Sequence, residues 1–176
     1  MNTASRETQF DAASSSPALG VTAQWLVFRL DSGHYGLPLA AVERVLRAAQ
    51  FTPLPLAPPI VLGAIDVAGQ ILPVFNVRGR FRLPERPIDP SDQFLIARTA
   101  HRTVVLVIDA AVGVIERPIT AMIESERLAP QLAHIRGAIS LQDGLLLIQD
   151  LEQFLSPDEA SALDEAMSSK EASHAG

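Results

Sequence analysis

Proline and glycine cut the apolar sequence of this chain into short pieces. Thirteen prolines and ten glycines fall among 176 residues, with apolar runs between them at spacings near ten residues. Proline lacks the N–H that a helix interior or a central strand needs, so recurrent proline bars both. The longest unbroken apolar stretch, Leu54 to Ile65, itself holds Pro55, Pro58, Pro59 and Gly63. It falls short of the roughly 20 residues that span a bilayer. Hydrophobic residues make up 48% of the chain, enough for a packed core. Short strands around such a core predict small β-barrels rather than a sandwich of long strands.

Residues 1–23 are small and polar, with Ser14-Ser15-Ser16 and Pro17, and read as a disordered lead. Trp25 and Val27, the turn Asp31-Ser32-Gly33, and Tyr35 to Leu39 predict a β-hairpin. Ala40 to Leu46 reads as a short helical turn passing into a strand. Val61 to Val67 and Gln70 to Val77 predict a second hairpin around Asp66–Gln70, and Arg82 to Asp92 a loop. Phe94 to Ala97, Thr103 to Ile108 and Val112 to Glu116 follow as strands. Thr120 to Gln131 has no clear pattern. Ala138 to Leu141 and Leu145 to Ile148 form a last hairpin around Gln142-Asp143-Gly144. Ser156-Pro157-Asp158-Glu159 is a helix start: a cap, a first-turn proline and a capping-box acid. Ala160, Leu163 and Met167 continue it at helical spacing, predicting a helix over 156–168 with the remainder frayed.

Charge and residue usage exclude several chemistries. With no cysteine there is no disulfide scaffold, thiolate metal site or thiol nucleophile. The only lysine is Lys170, which leaves no P-loop or Schiff-base lysine in the body. The net charge of −6 divides as −1 over residues 1–23, −1 over 24–155 and −4 over 156–176. That balance argues against a general nucleic-acid binder. His34, His101, His134 and His174 show no metal-ligand spacing, and no phosphate loop or GxSxG elbow is present. No catalytic residue, metal ligand or cofactor is expected. Asp66, Asp109 and Asp150 lie beside apolar strands and read as turn caps. Arg78, Arg80 and Arg82, with Arg86 beyond, alternate as on one strand face. This row supports a second reading, a small barrel gripping nucleic acid or an acidic ligand. The first 20 residues carry no export signal, and a cytoplasmic protein is expected.

The ordered motifs resemble the CheW family of chemotaxis coupling proteins. They are Phe28-Arg29-Leu30, Tyr35-Gly36-Leu37-Pro38-Leu39, Val42 and Val45, Pro53-Leu54-Pro55, Val61 to Asp66, and Gly69 to Arg78. The likeness continues through Val104 to Asp109 with Val112 and Val114, then Ile135-Arg136-Gly137, Leu145 to Ile148 and Asp150 to Leu155. It covers about residues 24–155, followed by the acidic tail of 156–176. The resemblance implies a mainly all-β fold of two five-stranded SH3-like barrel lobes sharing a hydrophobic core, with short helices and a C-terminal helix. It implies a non-catalytic adaptor joining the cytoplasmic tips of methyl-accepting chemoreceptors to the regulatory domain of a CheA-type histidine kinase. Other CheW-like proteins are further expected partners. Such an adaptor is recruited to membrane receptor arrays without inserting into the membrane. By resemblance, Val42, Arg44, Gly63, Asp66, Ala68, Gly69, Phe94 and Val114 fall at or near partner-contact positions. Two departures stand out. The family's V-x-E-V acid is Arg44 here, and its N-L-R-G turn is Asp66-Val67-Ala68-Gly69, without the arginine. Electrostatic matching sets specificity, so a coupling protein tuned to a particular kinase and receptor set, in a non-flagellar pathway, is expected.

Overall fold

A computed structural model describes residues 20–128 and 134–174 of the chain. The expected disordered lead lies outside the described residues as far as residue 19, and so do residues 129–131 of the unassigned stretch. Strand β1 (Thr22–Leu30) starts two residues before Gln24, and the Ile119 N–H donates to the Val21 carbonyl at 2.9 Å.

β1 pairs antiparallel with β2 (Gly33–Pro38) across a turn of Asp31 and Ser32, the expected turn less Gly33, which opens β2. A 3-10 turn, Leu39–Ala41, then carries the chain into β3 (Val42–Arg47). β4 (Val61–Val67) and β5 (Gln70–Phe75) form the second hairpin. β6 (Gln93–Arg98), β7 (Thr103–Ile108) and β8 (Ala110–Pro118) follow. β9 (Met122–Glu124) runs into one helical turn, α1 (Ser125–Leu128). β10 (Ile135–Leu141) and β11 (Gly144–Gln149) form the last hairpin. The sheets are ordered β8-β1-β2-β11-β10-β9 in the first lobe and β3-β6-β7-β5-β4 in the second.

Alternation explains why the central strands are apolar almost without a break. In β1, Trp25 and Val27 enter the core of the first barrel, while Leu26, Phe28 and Leu30 enter a core shared by both lobes. In β6, Phe94 and Ile96 fill the second barrel, and Leu95 and Ala97 face the shared core. β7 divides the same way, with Val105 inward and Val104, Leu106 and Ile108 toward the other lobe. A strand buried on both faces has no position left for a polar residue.

The second lobe is inserted within the first. The chain leaves β2 in the first lobe to supply β3 to the second, and leaves β7 in the second to supply β8 to the first. Residues 61–77 and 135–151 then perform the same task at a constant offset. Gly63 and Gly137 each follow a register shift in their hairpins. A Cβ on Gly63 would lie 2.3 Å from the Thr52 carbonyl oxygen, and one on Gly137 would lie 2.5 Å from that of Ile123. Both glycines admit the strand that closes their barrel. In the second lobe the closing segment is a single bridge, Thr52 to Ala64. In the first, the 3-10 turn Ile119–Ala121 separates β8 from a distinct closing strand, β9, and this gives that sheet its sixth strand.

A buried guanidinium links the lobes. Arg78 is 6% exposed and donates to Asp109 Oδ1 at 2.7 Å and to the Pro84 carbonyl at 3.2 Å. It also pairs with Asp31 at 2.8 Å. Asp31 belongs to the β1–β2 turn of the first lobe, and Asp109 joins β7 to β8. Asp109 also accepts the Asp31 N–H at 2.7 Å and Arg86 at 2.8 Å, and Arg86 reaches Asp92 at 2.7 Å. The Tyr35 ring lies 4.2 Å from that of Phe81, centroid to centroid, along the same seam.

This arrangement overturns the expected row of arginines. The Asn76 side chain accepts the Arg78 N–H at 3.2 Å and starts a 3-10 turn, Val77–Phe81. Three residues per turn send the side chains in different directions. Arg78 points inward, Arg80 pairs with Glu159 on the helix α2 (Pro157–His174), and Arg82 sits in a left-handed conformation with φ 54°. No common face for nucleic acid or an acidic ligand exists there.

Helix α2 begins with the expected capping box: the Glu159 N–H donates to Ser156 Oγ and the Ser156 N–H to Glu159 Oε2, at 3.2 and 2.8 Å. Leu163, Ala166 and Met167 are buried in the shared core, and Arg102 pairs with Asp164. The helix runs six residues past the expected end at 168. Glu165, Lys170, Glu171 and Ala172 are good helix formers with no glycine or proline among them.

Asp109 is raised by burial, but hydrogen bonds from Arg78 and the Asp31 amide, and the charges of Arg78 and Arg86, hold it below the ordinary 3.8. A depressed carboxylate stabilises the fold above its unfolded value and loses that contribution as pH falls through its folded value. The stability gap between wild type and Asp109→Asn, from urea unfolding, will therefore be full at pH 6 and shrink below about pH 4. Arg78→Ala leaves the half-buried Asp109 without its main partner and will cost about 1–3 kcal/mol at neutral pH in the same assay.

Candidate functional site

Among the described residues no group of three His, Asp or Glu side chains could hold a metal ion. Asp66 and Asp150 are turn residues: Asp66 Oδ1 accepts the Gly69 N–H at 2.7 Å, and Asp150 Oδ1 accepts the Glu152 N–H at 3.0 Å. Asp109 is the exception, committed to the arginine network. His134 is half-buried with its ring edge-on to Phe81 at 5.3 Å. Burial first, and the nearby Arg80 charge second, lower its pKa and favour the neutral imidazole.

The surface offers strand edges and one turn. Val42 opens β3 half-buried, opposite Ala97, and Arg44 is exposed opposite Ile96. β3 is the terminal strand of its sheet, as β8 is of the other. Val114 lies on β8 opposite Leu26 and is 50% exposed. Val112 beside it is 57% exposed, at the bulge where the β1–β8 register shifts. They put exposed apolar side chains on a sheet edge, with Ile119 at 47% on the 3-10 turn that follows, and such an edge is the kind of surface that docks another protein. Asp66, Ala68 and Gly69 form the exposed β4–β5 turn. Ala68 at φ 53° and Gly69 at φ 86° are both left-handed, the geometry of a type I′ two-residue turn. Beside this turn a cleft of about 770 Å³ separates Gly69–Pro73 from Asp164, Met167 and Glu171 of α2.

Two of the expected contact residues present no side chain to a partner. Phe94 is 1% exposed because its strand parity turns it into the second barrel. Gly63 is buried against Thr52 at the barrel closure. Their surroundings shape the neighbouring surface, Phe94 under Leu46 and Gly63 behind the β4 edge. The remaining six lie at three separate places, the β3 edge, the β4–β5 turn and β8. Sequence reading missed Val112 and Leu46 as exposed apolar positions. The signal for Val112 is its alternation with Val114 in a strand that supplies little else to the core.

The match to known proteins runs over this same body. The family model for the CheW-like domain matches residues 24–159. The chain is 25% identical over 150 residues to the chemotaxis protein CheW of Treponema pallidum (strain Nichols), spanning 80% of this chain and 86% of that protein. It is 28% identical over 96 residues to protein FrzA of Myxococcus xanthus, spanning 54% of this chain and 60% of that protein. The crystal structure of the scaffolding protein TtCheW from Thermoanaerobacter tengcongensis superposes with a TM-score of 0.72 at 22% identity. The alignment covers 79% of this chain and 96% of that one.

Gly63→Ser places a side chain against the backbone carbonyl of Thr52, a residue held by two hydrogen bonds, Thr52 N to Ala64 O and Ala64 N to Thr52 O. It will cost about 1–3 kcal/mol of stability in thermal unfolding, whereas Ser at exposed Gly79, whose Cβ meets nothing within 4 Å, will cost less.

Proposed function

Because this chain belongs to the CheW-like domain family, we propose that it is a non-catalytic adaptor that couples the cytoplasmic tips of methyl-accepting chemoreceptors to the regulatory domain of a CheA-type histidine kinase. The observation that carries the reading is the exposure of apolar side chains on the terminal strands of two firmly joined lobes. The Val112–Val114 ridge suits a helical receptor tip, which presents its own apolar stripe. The β3 edge at Val42 and Arg44, and the turn Asp66-Val67-Ala68-Gly69, suit the strands of another SH3-like lobe. A kinase regulatory domain, or another CheW-like protein, has such strands. None of the described helices is long and apolar enough to cross a membrane, and recruitment to receptor arrays from the cytoplasm fits that.

The reading extends to specificity. Arg44 and Ala68 change the charge at two exposed positions, and rim charges decide which partner is accepted more than how tightly. The chain is adapted to its own kinase and receptor set, outside flagellar control. The test is a pulldown of the full chain against the housekeeping kinase and the kinase encoded beside this gene. Capture of the neighbouring kinase in clear preference is expected, and equal capture would overturn the specialisation. Val114→Asp will reduce capture of a receptor cytoplasmic fragment about tenfold or more without lowering the unfolding temperature.

A further inference from the structure

We propose that the cavity beside the first turns of α2 binds an α-amino acid with an apolar side chain, held as a zwitterion by Arg102 and Asp164. This cavity, of about 600 Å³, opens between α2 and the β6–β7 turn. Its apolar wall is made by Phe75, Val104, Leu151, Phe154, Leu155 and Ala160, with the Phe75 and Phe154 rings edge to face at 5.8 Å. A concave, largely apolar site with a few convergent polar groups is the usual form of a small-molecule pocket.

The rim is fixed by the chain's own hydrogen bonds. Thr99 Oγ1 accepts the Arg102 N–H at 3.0 Å and donates to the Arg102 carbonyl at 2.9 Å, which holds the β6–β7 turn. The Ala100 N–H donates to Glu152 Oε1 at 2.8 Å, tying that turn to the segment that leads into α2. The capping box of Ser156 and Glu159 sets the start of the helix opposite. A preformed site loses little conformational freedom when a ligand enters.

The two charges at the mouth select the ligand. Arg102 and Asp164 pair with each other, and neither has a second ion-pair partner among the described residues. Arg102 is half-buried and Asp164 exposed. Burial lowers the Arg102 pKa, so a further anion beside the guanidinium is favoured. A carboxylate alone also meets the charge of Asp164, and an ammonium alone meets that of Arg102. A zwitterion gives each its opposite through charge-assisted hydrogen bonds. An α-amino acid carries both groups on one carbon, which leaves its side chain for the wall of Phe75 and Phe154.

Calorimetric titration of the full chain with L-phenylalanine at neutral pH tests the assignment. Saturable binding is expected, with a rise in unfolding temperature. Phenylpropionate, which lacks the ammonium, and phenethylamine, which lacks the carboxylate, will each bind about tenfold or more weakly. Asp164→Asn will narrow the gap between phenylpropionate and phenylalanine, and Arg102→Gln will narrow it for phenethylamine. An ion pair with a purely structural role gives neither change. Ala160→Phe, shown to be folded by its unfolding temperature, fills the cavity and will abolish binding. The proposal is overturned if phenylalanine gives no saturable signal, if it and its two analogues bind wild type alike, or if folded Ala160→Phe binds as wild type does.

Discussion

Everything about the relation of the two lobes depends on one guanidinium. Arg78 reaches from the second lobe to Asp31 in a turn of the first, and to Asp109 at the point where the chain crosses between them. A buried charge is stable only when its donors are satisfied, and here three separate segments must be in place to satisfy them. The pairing therefore does more than add attraction. It fixes the angle at which two barrels meet, because an apolar seam alone tolerates sliding and a forked donor does not. Arg86 and Asp92 extend the constraint to the proline-rich loop, which has no ladder of its own to hold it.

With the seam fixed, the surfaces on either side become one rigid object. β3 and the β4–β5 turn belong to the second lobe and the Val112–Val114 ridge to the first. An adaptor that holds two partners at once needs such fixed spacing, since slack in the body would be paid as lost effective concentration at the second contact. The strands proposed for contact are those least needed inside. β3 and β8 contribute no fully buried residues, whereas the centres of β1, β6 and β7 are committed on both faces.

The sequence was most legible where local chemistry decides the outcome. Asp31-Ser32, Ala68-Gly69 and Gln142-Asp143 each occupy a two-residue connection between paired strands, and the capping box at Ser156 sits where its spacing put it. The motif order pointed to the two-lobed fold. Legibility failed where a distant partner decides. Alternate arginines after β5 look like a strand face, but the Asn76 side chain accepts the Arg78 N–H and starts a 3-10 helix, and carboxylates of the first lobe and the crossover draw Arg78 inward. Phe94 stands by resemblance at or near a partner contact, but its strand parity turns it into the second barrel. One signal was present and passed over: Val-Leu-Gly-Ala-Ile at 61–65 and Ile-Arg-Gly-Ala-Ile at 135–139 repeat, and they mark the two barrel closures.

The insertion of the second lobe within the first also governs how this chain comes off the ribosome. β2 lies parallel to β11, with His34 beside Leu146 and Gly36 beside Ile148. β1 and β2 must therefore wait for β11, far along the chain, before their sheet is complete. The second lobe has all its strands once β7 has emerged, and it can close early while β1 and β2 still hold their apolar faces open to solvent. Such long-range pairing slows folding and exposes strand edges during synthesis. The nascent first lobe is thus the stage at which this protein is most open to chaperone capture, or to mispairing with another copy of itself.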